Sequence, residues 1–421
     1  MKGPSTSSAD APLPLSTPAG AALALRDTAA IRERAHQLLA RARAGASEHF
    51  AVNDAALPHA AHTVAKLTRA RFPDLKIPYH SRWRHFEAGN VDRAAQLNVL
   101  LGAVDTAERA RAQIDLALVS VLLDAGAGAD WGYHEGASAQ RFSRSEGLGV
   151  ASFHAFTAGL FSSDPQQPLR ADAAGLAMLT TEHLAQAFQV REGNPLVGLE
   201  GRAGLLRRLG EVLAQQPEVF GQPARPGGLF DALLATDPTA MDAHDLLGLL
   251  LSTLSDIWPA QNAIDGVALG DCWRHPAVPG GGLTRGWMPF HKLSQWLTYS
   301  LLEPFEWAGV QVRGIERLTG LPEYRNGGLL IDAGVLRPLP PDHATRSWTA
   351  GDAFIVEWRA LTVALLDEIA PLVRAELGVT ADQLPLACVL EGGTWAAGRL
   401  LAQRLRGGAP PLNIASDGTV F

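Results

Sequence analysis

Cysteine is nearly absent. The 421 residues contain two, Cys272 and Cys388, too few for a disulfide framework, and a reducing compartment is the resulting expectation. An excess of positive charge is missing too: 36 lysines and arginines stand against 43 aspartates and glutamates, for a formal net charge of −7. A nucleic-acid binder replaces phosphate counterions with a basic face, so no nucleic-acid partner is expected. No apolar run approaches the roughly 20 residues that span a bilayer, and no membrane partner is expected. Met1–Pro14 has one lysine followed by Ser, Ala and Pro without an apolar stretch. That pattern is unlike a secretory signal and points to the cytoplasm. Strand-like alternation is rare, and no internal repeat is visible.

What the chain does have is apolar residues at helical spacing, within a composition that is 47% hydrophobic. Segments of period 3.6 with few strand-like runs predict a mainly α, multi-helix globular fold. Residues 1–20 read as a disordered lead-in. Residues 21–421 read as one large helical domain, long enough to divide into lobes at 21–235 and 236–421. Helices are predicted from Thr17-Pro18 to about Ala44, Asp54–Arg71, Asp92–Leu101, Thr106–Leu123, Asp172–Val190, Gly201–Gln215, Asp242–Leu254, Met288–Leu302, Ala353–Leu377 and from Glu391 to about Arg406. Gly270–Gly286 is rich in Gly and Pro and reads as a loop.

The stretch from Leu318 to Leu336 holds the densest chemistry. Thr319 is placed to cap a helix and Pro322 suits its first turn. Glu323, Tyr324, Arg325 and Asn326 then precede Gly327-Gly328, a pair tolerated in a helix where a ligand or another backbone approaches closely. Two readings stand side by side: a surface helix with a glycine packing point, or a carboxylate held at a ligand pocket.

Other segments carry similar alternatives. His80, Arg82, Arg84 and His85 form either a phosphate fork or an aromatic–Arg brace between helices. Asp124 and Glu146 flank apolar segments, where each can face a pocket or cap a helix. Lys292 and Gln295 lie on a predicted buried helix, and a lysine there needs a partner or a route to solvent. Asp352 sits where an N-cap belongs, ahead of a helix bearing Glu357 and Arg359. Cys272, His275 and His291 have spacing that admits zinc but lack an evident fourth ligand.

Several of these segments together resemble one family. They are His80 to Glu87, Leu123 to Gly128, Ser145 to Leu148, Asn194 to Arg202, Phe290 to Trp296, Leu318 to Gly328, and Gly393-Thr394-Trp395. They look like the uracil-catabolism protein four family, over nearly the whole chain from about Leu23. That resemblance implies a pyrimidine route in which uracil becomes a ribonucleotide, the ring opens and urea is released.

Met288 to Leu366 also resembles the queuosine-salvage N-glycosylase family, which is helical and related in fold to DNA glycosylases. Lys292 and Gln295 fall on that family's Lys-Arg-Ala-Gln helix. Glu323 falls at its catalytic Asp, Gly351-Asp352 on its Gly-Asp, and Glu357-Trp358-Arg359 on its Glu-Ile-Arg. Glu323 is one methylene longer than that Asp. Leu321 replaces a Phe, which suits a small leaving group.

Together these imply an N-glycosidase of a phosphorylated ribosyl small molecule, without a cofactor, working as a monomer or small homo-oligomer. Glu323 and Asp352 are its candidate catalytic residues. The candidate substrate contacts are His80, Arg82, Arg84, His85, Asp124, Glu146, Lys292, Gln295, Tyr324, Arg325, Asn326 and Arg359. The alternatives are a metal-dependent hydrolase of a ureido intermediate using Cys272, His275 and His291, or a non-catalytic nucleotide-binding partner.

Overall fold

The computed structural model describes residues 13–258 and 262–415. The fold is mainly α, with short two-stranded pairings at its edges. Its axis is the helix Ala353–Leu377, which is buried without interruption from Phe354 to Leu366. A helix that is apolar on every side belongs in a core, and this one packs against Thr28–Arg43 and Leu57–Arg71. A second pair, Lys292–Trp307 and Thr106–Leu122, is similarly submerged. A third pair, Tyr324–Asp332 and Trp395–Arg406, packs closely because Gly398 sits at the crossing. A Cβ on Gly398 would lie 2.0 Å from the Arg325 carbonyl oxygen. One continuous apolar cluster runs from Ile31 to Ile414 and draws on residues from both halves of the chain.

Local chemistry moves several boundaries. The predicted first helix is two, Pro18–Arg26 and Thr28–Arg43, because Asp27 turns extended and accepts from the Ala29 N–H. The first of these overlaps the end of the expected lead-in, whose residues 1–12 lie outside the described residues. Asp172–Val190 likewise divides into Ala173–Ala177 and Thr181–Ala187, where the Thr180 hydroxyl caps the second piece.

Part of the expected 270–286 loop is a hairpin. Cys272–Arg274 pairs antiparallel with Trp287–Pro289, which shortens the following helix to begin at Lys292. The end of the chain pairs as well, Ser347–Trp348 running parallel to Asn413–Ile414, while residues 416–421 lie outside the described ones. No helix among the described residues is long and apolar enough to cross a membrane.

Candidate active site

The hollow that gathers the most titratable side chains is a cavity of about 440 Å³. Its walls come from separate parts of the chain: His80 and His85, Asp124 with the Gly126–Gly128 turn, Arg144 and Ser145, Lys292 and Trp296, Leu321 with Glu323 and Tyr324, and Trp395. Of the predicted site residues, His80, His85, Asp124, Lys292, Glu323 and Tyr324 are brought together here.

Glu323 arrives by a route different from the predicted one. Thr319 does not cap the helix; its hydroxyl accepts from Gln295 Nε2 at 2.9 Å, and its N–H donates to Gln295 Oε1 at 3.2 Å. Glu323 itself is the N-cap of Tyr324–Asp332. Its carboxylate accepts from the Arg325 N–H at 2.8 Å and the Asn326 N–H at 2.6 Å. Burial pushes its pKa up from the usual glutamate value, against the downward pull of those two N–H groups and of Lys292. Desolvation lowers the pKa of Lys292, helped by the charge of Arg359 and opposed by Glu323. The Lys292 backbone is fixed by Asp271, whose Oδ2 accepts from the Lys292 N–H at 2.9 Å.

The opposite wall is electrostatically mixed. Asp124 is held below the ordinary aspartate value: burial raises its pKa, but the Arg82 guanidinium 3.1 Å away, Ser145 and Arg202 are among the groups that together pull it down further. Burial, reinforced by that same Arg82 charge, lowers His85 to about 4, so its imidazole is neutral. Its Nδ1 and the Trp296 indole N–H are buried without a partner among the described residues. Both residues line the cavity, while the two atoms themselves are covered. His80 faces the cavity with its Nδ1 2.8 Å from Glu391 Oε2. Glu391 belongs to a π-helical turn, Leu390–Thr394, that delivers Trp395 to the wall.

The remaining predicted residues are elsewhere. Arg82 is fully buried behind Asp124, with Nε donating to Ser120 at 2.6 Å. Arg84 pairs with Glu303 and Glu87, and Glu146 with Arg399. Arg325 donates to the Gly408 carbonyl, and Asn326 bridges Leu321 and Thr394. Gln295 clamps Thr319, as described. Arg359 makes two bonds to Asp271, at 2.7 and 2.8 Å. Asp352 accepts from the Thr349 N–H at 2.7 Å and is not on the cavity wall. Gly327 is a packing point: a Cβ there would meet the Trp358 ring at 2.4 Å.

Cys272, His275 and His291 do not converge either. Cys272 Sγ faces His291 Nε2 at 3.6 Å, whereas His275 Nε2 faces Glu357 at 3.3 Å.

Sequence reasoning passed over Arg144, Ser145, Trp296 and Trp395 as wall residues. Arg144 opens the helix Arg144–Thr157 with φ of 56°, a left-handed conformation uncommon outside glycine. Nothing in the residue order announces that bend.

The comparisons now have a site to refer to. Residues 24–421 match the family model described as "Protein of unknown function (DUF1688)". The chain belongs to that family. Among its relatives, "Protein urg3" of Schizosaccharomyces pombe is 41% identical over 408 residues, covering 95% of this chain and 98% of the relative. "Uracil catabolism protein 4" of Lachancea kluyveri is 40% identical over 379 residues, covering 82% of this chain and 85% of the relative. Both alignments are long enough to take in the cavity walls from several parts of the fold.

Proposed function

We propose that this member of the family acts in uracil degradation as an N-glycosidase. Its substrate is a ring-opened uracil ribonucleotide, ribosylurea 5-phosphate, and its products are urea and ribose 5-phosphate. The route is suggested by the printed name of the Lachancea kluyveri relative. The chemistry is carried by one observation: a glutamate carboxylate on the wall of a cavity, fixed by two backbone N–H groups and interacting with a buried lysine.

Cleavage of the C1–N bond builds positive charge on the sugar, and a fixed carboxylate stabilises that charge. Glu323 also takes a proton from the attacking water. The C1–N bond breaks, a C1–O bond to the water oxygen forms, and the proton taken up by Glu323 ends on the departing urea nitrogen. Because its oxygens are already oriented by Arg325 and Asn326, Glu323 needs little reorganisation during the reaction.

Arg82, Arg84 and Arg325 do not line the cavity, whereas Lys292 and Arg144 do, and the phosphate role is assigned to these two. Asp124 replaces Asp352 as the acceptor for ribose hydroxyls, since it is the other carboxylate on the wall. Trp296, Leu321 and Trp395 supply apolar faces, and a small leaving group such as urea suits a slot walled by Leu321.

The test is direct. Purified protein is incubated with ribosylurea 5-phosphate and free urea is measured by mass, with Glu323→Gln as the control. Urea release that depends on Glu323 supports the reading. Binding of the compound without urea release overturns it in favour of a non-catalytic binder.

A further inference from the structure

A second cluster of ligating side chains lies outside the cavity, and the proposed reaction makes no use of it. His49 precedes the strand Phe50–Val52, His275 follows the strand Cys272–Arg274, and Glu357 lies on the central helix. One nitrogen from each histidine and one oxygen of Glu357 lie within 4.8 Å of one another. His275 and Glu357 are buried, and His49 is half-buried.

Glu357 is the unusual member. Its side chain is 2% exposed, and among the described residues its ion-pair partner is His275, with no lysine or arginine. A carboxylate buried that deeply normally has a cation beside it. Here it has two imidazoles. His275 Nε2 is itself buried without a hydrogen-bond partner among the described residues, 3.3 Å from Glu357 Oε2. That spacing matches an edge of the tetrahedron formed by ligands at zinc's usual bond length of about 2.0–2.1 Å.

Three further features fit a cation. Ser47 donates its hydroxyl to the other oxygen of Glu357, as an outer partner does for a ligating carboxylate. The same Ser47 oxygen accepts from the His49 and Phe50 N–H groups at 3.0 Å, which holds the His49 backbone in place. The cluster borders a hollow of about 290 Å³ whose rim includes exposed Glu48 and Arg41, so an ion has a way in. Arg41 opposes a cation and Glu48 favours one.

The His275 tautomer adds a cost. Its Nδ1 accepts from the Ala277 N–H at 3.2 Å, which leaves the proton of a neutral ring on Nε2. Metal binding at Nε2 moves that proton and gives up this one bond, a loss of roughly fivefold to tenfold in affinity.

We infer that His49, His275 and Glu357 form a site for a zinc-class divalent cation, with a fourth position left to water. The ion would tie the segment before Phe50–Val52 and the Cys272–Pro289 hairpin to the central helix. It is a different set from Cys272, His275 and His291, and shares only His275 with it.

The experiment uses tag-free full-length protein, stripped with chelator and titrated with zinc chloride alone. Stoichiometry is read by metal analysis, affinity by calorimetry and Tm by thermal unfolding. One zinc per chain and a raised Tm are expected. His49→Ala, at a half-buried position outside the core, should abolish binding while the protein stays folded, and Glu357→Gln should do the same. Ser47→Ala should weaken binding roughly 10–100-fold, the usual effect of losing an outer partner, and Cys272→Ser should leave it unchanged. No stoichiometric zinc, zinc retained by His49→Ala, or zinc lost in Cys272→Ser would each overturn the site.

Discussion

The Glu323 carboxylate accepts the backbone N–H of Asn326 at 2.6 Å, so the proposed catalytic group is also the cap of its own helix. Two roles fall on one side chain, and substitutions there report on both.

Glu323→Gln keeps one acceptor oxygen but turns an amide NH2 toward a backbone N–H. We expect turnover to fall by about 10²–10⁴-fold, the usual contribution of a general base. Loss of a cap costs about 0.5–2 kcal/mol, so the variant should remain folded. Urea release and thermal unfolding, measured on the same preparation, separate the two effects.

The activity should have an acid limb displaced upward. In the proposed reaction Glu323 works ionised, and burial raises its pKa above the usual glutamate value. Activity is therefore present above that raised pKa and lost as pH falls through it. Lys292 pulls this pKa down, so Lys292→Met should move the limb to still higher pH. A kcat/KM profile that is unchanged in the lysine variant would disconnect the pair.

Lys292 and Arg144 are assigned to the phosphate. A hydrogen bond to a charged group is worth about 1.5–3 kcal/mol. Lys292→Met and Arg144→Ala should each weaken substrate binding by about tenfold to a hundredfold. The same changes should matter far less for ribosylurea without its phosphate, which steady-state KM values for the two compounds would reveal.

Gly398→Ala places a methyl against the Arg325 carbonyl, 2.0 Å away before any relaxation. Overpacking of this kind costs about 1–3 kcal/mol. The displaced backbone is the one next to Glu323, so turnover should fall together with Tm.

Arg359→Met removes the partner of Asp271 and leaves a buried carboxylate uncompensated, at a cost of about 3–5 kcal/mol. Urea denaturation should show this loss. A raised KM at unchanged stability would instead return Arg359 to the substrate.

The amino-acid order by itself determined the helical class, because apolar spacing near 3.6 survives any arrangement in space. It also marked Glu323, Lys292, His80, His85, Asp124 and Tyr324 through local density of polar groups and a family pattern. It divided two helices too few times, because Asp27 and Thr180 act as caps only where the chain turns extended. Tertiary structure alone decided which charges line the cavity. Arg82, Arg84 and Arg359 read as substrate contacts in sequence, yet each is matched by an acid far away in the chain: Asp124, Glu303 and Asp271. Pairing energy depends on distance in space, and a linear order carries no record of that distance. For the same reason His49, hundreds of residues from Glu357, was invisible as its neighbour until the central helix brought the two together.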